Sequence, residues 1–222
     1  MHLLIAGVDE AGRGCVIGPL VIAGVSIREE KIPALRELGV KDSKMLQPKK
    51  RETLAVEIER LAENQVIMKL TPADIDRVVQ SGRKLHKLNR LEAETMAKII
   101  DALKPDEAYV DAADVLEERF KHHIQENLTF RTKIVSEHKA DRTYPVVSAA
   151  SIIAKVERDR EIALLTSEYG EFGSGYLTDQ KTVQFLKQWL RTQNEYPQCV
   201  RKSWKPAKRT KNEKGTIQKK LA

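Results

Sequence analysis

Leu3-Leu4-Ile5-Ala6-Gly7-Val8-Asp9-Glu10-Ala11-Gly12-Arg13-Gly14 is the stretch on which the reading of this chain turns. Residues 3–8 form an apolar run of strand length. It ends on two adjacent carboxylates. Consecutive strand side chains point to opposite faces, so a regular strand cannot aim both at one ion. A bend or bulge is therefore expected at Asp9-Glu10, unless only one of the pair is a direct ligand. The Gly-Arg-Gly that follows predicts a turn with exposed backbone N–H groups and an arginine beside them. Carboxylates suited to a metal and amides suited to a phosphate thus fall within six residues.

Working outward, residues 16–25 read as a second strand forming a hairpin with the first, with Pro19 at its beginning or on an edge. A short helix over 32–38 is stopped by Gly39, and a longer one over 48–64 lines up Leu54, Ile58 and Leu61 on one face. Residues 65–70 predict a strand. Thr71 then caps a helix with Pro72 at its first position. Further helices are expected over 88–103, from Asp114 as cap to about 127, over 146–169, and over 180–192 behind Thr178 or Asp179. Strands are expected at 108–111 and 130–135, a polar turn at 138–141 and a glycine-rich loop at 171–177. Strands early and mid-chain, with helices between and after them, predict an α/β layer around a mixed sheet.

A chain of 222 residues, 41% hydrophobic and 32% charged, has enough apolar content for one substantial core and is not disordered in composition. No apolar run approaches the roughly 18 residues of a membrane span, and Asp9, Glu10 and Arg13 interrupt any signal-peptide layout. Cys15 and Cys199 are far apart and form no metal or redox motif. A cytoplasmic protein without membrane attachment is expected, and monomer is the default. The net charge of +7 is localised: residues 201–222 hold nine Lys or Arg and one acid, leaving the rest near neutral. The expected division is a folded body over 1–197 and a basic C-terminal tail over 198–222. That tail is either solvated or attaches to nucleic acid.

Two more carboxylates resemble Asp9 and Glu10 in placement. Asp111 ends a predicted strand and Asp141 precedes the long helix. Side chains at the ends of neighbouring strands can converge from remote parts of a chain. Four carboxylates without Cys or His suit a hard cation such as Mg²⁺ or Mn²⁺. Two such ions about 3.5–4 Å apart clamp the attacking and leaving oxygens of a phosphoryl displacement. Without metal, the same carboxylates repel one another and raise their pKa values. A pure nucleic-acid binder has no reason to place acids beside phosphates, which distinguishes a nuclease from a binding module.

Five segments together resemble type 2 ribonuclease H, in its archaeal single-chain branch. They are Asp9-Glu10-Ala11-Gly12-Arg13-Gly14, Lys41-Asp42-Ser43-Lys44, Val110-Asp111, Ala140-Asp141 through Tyr144-Pro145-Val146-Val147-Ser148-Ala149-Ala150-Ser151-Ile152, and Gly173-Ser174-Gly175-Tyr176. The resemblance runs from residue 5 to about 190. It implies a ribonuclease H-like fold: a central mixed five-stranded sheet flanked by helices, with a helical C-terminal part. It implies endonucleolytic cleavage of RNA in RNA/DNA hybrids, and of single ribonucleotides embedded in duplex DNA, leaving 5′-phosphate and 3′-hydroxyl ends. Asp9, Glu10, Asp111 and Asp141 become the catalytic metal ligands. Gly12, Arg13 and Gly14 read the ribose 2′-hydroxyl and nearby phosphates, Lys44 holds a phosphate, Ser148 contacts substrate, and Tyr176 packs on the following deoxyribose. A 2′-hydroxyl is what separates RNA from DNA locally, and a site built to pair with it rejects the analogue lacking it.

The chain departs from the family pattern in places. Cys15 and Leu177 stand where proline is common, and Lys87-Leu88-Asn89 replaces a more usual Asn-Leu-Asn. His138, near Asp141, reads as a loop histidine, with proton transfer as the alternative role. Gln218-Lys219-Lys220-Leu221-Ala222 resembles the first half of a sliding-clamp-binding box without its aromatic pair. Any clamp contact through Gln218 and Leu221 should therefore be weak.

Overall fold

Two glycines on opposite faces of the sheet fix where its helices lie. A computed structural model of the chain describes residues 3–40, 46–82, 87–205, 207–209 and 211. Strand β1 (Leu4–Ala11) pairs antiparallel with β2 (Leu20–Arg28), with Gly7 opposite Val25 and Val8 opposite Gly24. Gly7 therefore opens one face and Gly24 the other. A Cβ on Gly7 would stand 2.2 Å from the Val146 carbonyl oxygen, at the start of helix α7 (Pro145–Tyr169). A Cβ on Gly24 would stand 2.3 Å from Ile99 Cγ2, on helix α4 (Lys87–Leu103). Each missing side chain admits a helix, and the sheet is covered on both sides.

With β3 (Asn64–Leu70), β4 (Glu107–Asp111) and β5 (Lys133–Glu137), the strand order is β3-β2-β1-β4-β5. β4 runs parallel to β1 and to β5, so the five-stranded sheet is mixed, as the resemblance implies. The remaining helices are α1 (Ile32–Glu37), α2 (Pro48–Leu61), α3 (Pro72–Gln80), α5 (Glu117–Gln125), α6 (Ala140–Thr143) and α8 (Gln180–Thr192).

The chain forms two compact units. The first comprises Met1–Ala11, Val21–Lys69 and Lys84–Glu157 and contains the sheet. One of its apolar clusters joins Val21, Val25 and Ile27 of β2 to Leu54 and Ile58 of α2 and to Val147, Ala150 and Ile153 of α7. The second comprises Gly12–Leu20, Leu70–Arg83 and Arg158–Ala222. Its core is Val16, Ile17, Phe172, Leu186, Leu190, Tyr196, Val200 and Ala207.

Several expectations are corrected. β1 does not end at Val8: its ladder continues regularly through Ala11, opposite Val21, with no bulge at Asp9-Glu10. β2 begins at Leu20 and not at residue 16, because Gly18 at φ +91° turns the chain just before Pro19. Residues 16–18 pair elsewhere: Ile17 bridges Val200, Gly18 N–H donates to the Cys199 carbonyl at 2.8 Å, and Arg201 N–H to that of Val16 at 2.9 Å. A boundary at 197 does not separate body from solvated tail either. Cys199, Val200, Arg201, Ser203 and Ala207 are buried, and the Asp76 carboxylate of α3 accepts from the N–H groups of Lys202 and Ser203 at 2.8 and 2.9 Å.

β5 starts three residues later than expected, and 138–141 is no plain turn. Lys139 at φ +58° leads into α6, which contains Asp141. Asp114 does not cap α5, whose first flanking residue is Leu116 with no side-chain cap. It accepts instead from Leu116 N–H at 3.1 Å and from the Arg119 guanidinium. Thr71 does cap α3 as expected, with the Asp74 side chain returning the bond to make a reciprocal capping box, and Asp179 rather than Thr178 caps α8.

Candidate active site

Parallel pairing carries Asp9 and Asp111 to the same level. The ladder of β1 with β4 pairs Ile5 with Glu107 and Val8 with Val110, so one residue further Asp9 stands beside Asp111, on the same face. β4 and β5 pair Asp111 with Glu137. A row of three carboxylates therefore crosses the carboxyl ends of three parallel strands, where open α/β sheets bind ligands. Glu10, one residue on from Asp9 in a regular strand, belongs to the opposite face.

Asp9 is 4% exposed. Burial, followed by the charges of Glu10 and then Asp111, pushes its carboxyl well above the usual carboxylate range. Hydrogen bonds from the Ser151 side chain and the Glu10 N–H, the latter at 2.7 Å, oppose that rise without cancelling it. Asp111 Oδ1 accepts from the Ala140 N–H at 3.0 Å. This contact depends on Lys139, whose left-handed backbone swings the start of α6 around. Asp141, the next residue in that helix, is 6% exposed. Glu137 accepts from the Tyr144 hydroxyl at 2.9 Å, and Tyr144 packs on Tyr109 with ring centroids 4.6 Å apart.

The structure thus brings Asp9, Glu10 and Asp111 within electrostatic reach and seats Asp141 directly after the residue that bonds Asp111. Among the described residues, no group of three or more His, Cys, Asp or Glu side chains stands at ligand spacing. The donor set nevertheless fits a hard divalent cation in its chemistry. Its members are oxygen ligands, and the buried Asp9 carboxyl carries a charge penalty that a cation would relieve.

Ser148 is 2% exposed, and its Oγ makes no hydrogen bond among the described residues. The serine that meets Asp9 is Ser151, three residues further along α7, to which the sequence assigned no role. Glu137 was missed as well. Its signal was available only through the strand register. Lys44, Gln218 and Leu221 lie outside the described residues.

The second unit holds the Gly12-Arg13-Gly14 turn. Gly12 adopts φ +89°, and a Cβ there would stand 2.5 Å from Arg158 Nε. The Arg158 guanidinium lies 4.9 Å from the Tyr176 ring centroid and donates to the Ser174 carbonyl at 2.9 Å. It thus braces the glycine-rich loop from below. Gly14 faces Tyr176: an added Cβ would come within 3.8 Å of the ring. Gly14, the exposed residue of the turn, and the half-buried tyrosine are therefore neighbours, as the roles that the resemblance implies for them on consecutive sugars require.

Beneath the turn lies Arg201, which sequence reasoning placed at the head of a charged tail. It is fully buried. Its guanidinium donates to the carbonyls of Gly12 at 2.6 Å, Arg13 at 2.8 Å and Gly18 at 3.1 Å, and contacts Cys15 Sγ at 3.0 Å. One buried guanidinium in a run of exposed Lys and Arg has no distinguishing pattern in the sequence.

No helix among the described residues is long and apolar enough to cross a membrane. The family model for ribonuclease HII matches residues 6–207. Ribonuclease HII of Thermococcus kodakarensis is 50% identical over 207 residues, covering 92% of this chain and 88% of that protein. The protein from Pyrococcus abyssi is 48% identical over the same length, covering 92% and 90%. Among solved structures, ribonuclease H2 from Pyrococcus horikoshii superposes with a TM-score of 0.87 at 43% identity, over 95% of this chain and 98% of that one. The RNase HII of Archaeoglobus fulgidus, solved in complex with PCNA, gives 0.83 at 46% identity, over 91% and 96%. With a mixed five-stranded sheet of the matching fold and a family model spanning nearly its whole length, the chain belongs to the ribonuclease HII family and is a ribonuclease H hydrolase.

Proposed function

We propose that this chain cuts the RNA strand of RNA/DNA hybrids, and single ribonucleotides embedded in duplex DNA, by two-metal-ion hydrolysis. The observation that carries the reading is the level pair Asp9 and Asp111, with the Asp9 carboxyl buried and pushed upward by its acidic neighbours. Such a cluster is costly to the free protein and pre-arranged for a cation. Asp9, Asp111 and Asp141 would hold Mg²⁺ or Mn²⁺. The side chain of Glu10, the fourth residue expected from the sequence, belongs to the other face of a regular strand, so it would act through its charge on Asp9 rather than as a ligand of the same ion. When bound, the ions supply charge neutralisation at the scissile phosphate and lower the pKa of the attacking water.

The protein's own groups then have separate tasks. Ser151 and the Glu10 N–H fix the rotamer of Asp9, and the Ala140 N–H fixes Asp111. The N–H groups of the Gly12–Gly14 turn read the 2′-hydroxyl, and Tyr176 lies against the next sugar. The likeness to the PCNA-bound Archaeoglobus enzyme supports a sliding-clamp contact here too.

The test is a DNA duplex containing one ribonucleotide, incubated with Mg²⁺ or Mn²⁺ beside an all-DNA control. Cleavage on the 5′ side of the ribonucleotide alone is expected, leaving a 5′-phosphate on the downstream fragment. Equal cleavage of both duplexes, or of neither, would falsify the reading.

A further inference from the structure

Arg201 meets the recognition turn from inside, and its contacts determine which way that turn faces. In a trans peptide the carbonyl of one residue and the N–H of the next point in opposite directions. Drawing the Gly12 and Arg13 carbonyls onto the guanidinium therefore turns the N–H groups of Arg13 and Gly14 away from it. Of the three turn residues Gly12 is buried and Gly14 exposed, so solvent lies on the Gly14 side of the turn. A third donor from Arg201 reaches the Gly18 carbonyl at 3.1 Å, closing the loop at its far end.

We propose that Arg201 is a positioning residue for ribonucleotide recognition: it presents the Arg13 and Gly14 amides as a fixed pair of donors. The proposal rests on the reading of the Gly12–Gly14 turn as the reader of the 2′-hydroxyl. Lysine cannot replace this arrangement. A planar guanidinium offers five donors in fixed directions, and three carbonyls in different directions use that fork. An ammonium concentrates its donors at one point and reaches fewer of them. The burial of Arg201 adds to its hold, because its bonds to the Gly12 and Gly18 carbonyls are buried and the one to Arg13 is partly so, and all three are lost together if it is removed.

The contact also explains the position of residue 201 in the fold. Cys199 to Arg201 pairs with Val16 to Gly18, so the guanidinium is carried beneath the turn by a backbone ladder. Register thus delivers a side chain from near the C-terminus to a motif near the N-terminus.

The test uses the full-length chain with Arg201→Lys and Arg201→Met, each first checked for folding by circular dichroism and melting. Steady-state cleavage of a duplex with one ribonucleotide gives KM and kcat. The same duplex without the ribonucleotide, used as a competitive inhibitor, gives the affinity for DNA alone. The expected result is a KM raised about tenfold in Arg201→Lys, with kcat changed by less than about twofold and with the preference for the ribonucleotide duplex largely lost. If Arg201→Met does not fold, Arg201→Lys carries the test alone.

A loss confined to kcat, in proportion to the unfolded fraction, is what a merely structural residue gives and overturns the proposal. So does an unchanged KM and preference in a folded Arg201→Lys, while the reading of the turn survives. If the wild type itself binds both duplexes equally, that reading fails and this inference with it.

Discussion

Asp9 and Asp111 stand level on adjacent parallel strands, 102 positions apart in the chain, and the charge of Asp111 helps to hold the Asp9 carboxyl above its usual range. The free protein therefore carries its proposed active site as an electrostatic burden. Catalytic groups kept at a cost to stability are a familiar feature of enzymes, and here the cost has a definite sign.

That sign gives the first prediction. A carboxyl whose folded pKa is raised binds more protons in the native than in the unfolded state across the interval between the usual value and the raised one. Wild-type stability should fall as pH rises through that interval. Asp9→Asn removes the titration, so in EDTA it should melt higher than wild type at pH 8, with the gap closing toward pH 4. Each kcal/mol recovered corresponds to about 2–4 °C. Cleavage by the variant should be abolished. An Asp9→Asn that melts lower than wild type at pH 8 would contradict the burial argument.

The same repulsion predicts the effect of metal on stability. A cation that binds only the native state stabilises it by about 2.7 kcal/mol at a concentration 100 times its Kd. Mg²⁺ or Mn²⁺ should raise the wild-type melting temperature by several degrees and leave Asp9→Asn almost unmoved. Calorimetric scans with and without EDTA measure this directly, and equal shifts in both proteins would place the metal elsewhere.

How much of this was legible in the sequence depends on whether local pattern or register fixes a residue's neighbours. The Thr71–Asp74 capping box and the apolar runs of β1 and β4 are local, and the sequence shows them. Adjacent Asp9 and Glu10 are just as visible, but not the fact that β1 stays regular through them and sends them to opposite faces. Ser151 and Glu137 enter the site only through helix packing and strand register. Arg201 was misread because burial of an arginine is decided by carbonyls some 190 residues away, not by its basic neighbours. Lys139 gives no sign of its left-handed backbone, since that conformation is imposed by the path into α6.

Gly7 and Gly24 offer a matched pair of packing tests. A methyl group at Gly7 meets the backbone of Val146 and Val147, which cannot move without shifting α7. At Gly24 it meets Leu103 Cδ1, which can turn aside, and Ile99 Cγ2, a β-branched methyl that a helix holds near one χ1 and that yields less easily. Overpacking costs typically about 1–3 kcal/mol. Gly7→Ala should fall at or above the top of that range and Gly24→Ala within it, the less costly of the two. Gly7→Ala should also depress activity, because α7 carries Ser151 to Asp9. Urea titrations of both variants, with activity measured on the folded fraction, check the order.

Asp114 predicts an opposite pH dependence from Asp9. Its side chain is buried, and hydrogen bonding from the Arg119 guanidinium, with further bonds from Asn89 and Leu116 N–H, holds its carboxyl below the usual range. A lowered folded pKa contributes stability above the usual carboxylate value, which is lost as pH falls through the folded value. Asp114→Ala should cost about 1–3 kcal/mol at pH 7, because it leaves partners of the carboxylate unsatisfied. The difference from wild type should shrink on acidification below about pH 4. Acid titrations followed by circular dichroism would reveal a constant difference if the carboxylate's charge were irrelevant.

Truncation from the C-terminus distinguishes a tail from a structural segment. Residues 199–201 pair with 16–18, Asp76 holds Lys202 and Ser203, and Tyr196 donates its hydroxyl to the Ala207 carbonyl at 3.2 Å. Ending the chain after Val200 removes Arg201 from beneath the Gly12 turn and Ala207 from the core of the second unit. That truncation should lower the melting temperature by many degrees and abolish ribonucleotide-directed cleavage. Ending it after Lys211 keeps every one of these contacts, so melting should stay within about a degree of wild type. The basic residues beyond Lys211 would then show only in the salt dependence of substrate binding, whose slope flattens as phosphate-neutralising charges are lost. Equal melting of the two truncations would mean that Arg201, the bonds of Asp76 to Lys202 and Ser203, and the burial of Ala207 contribute nothing to stability.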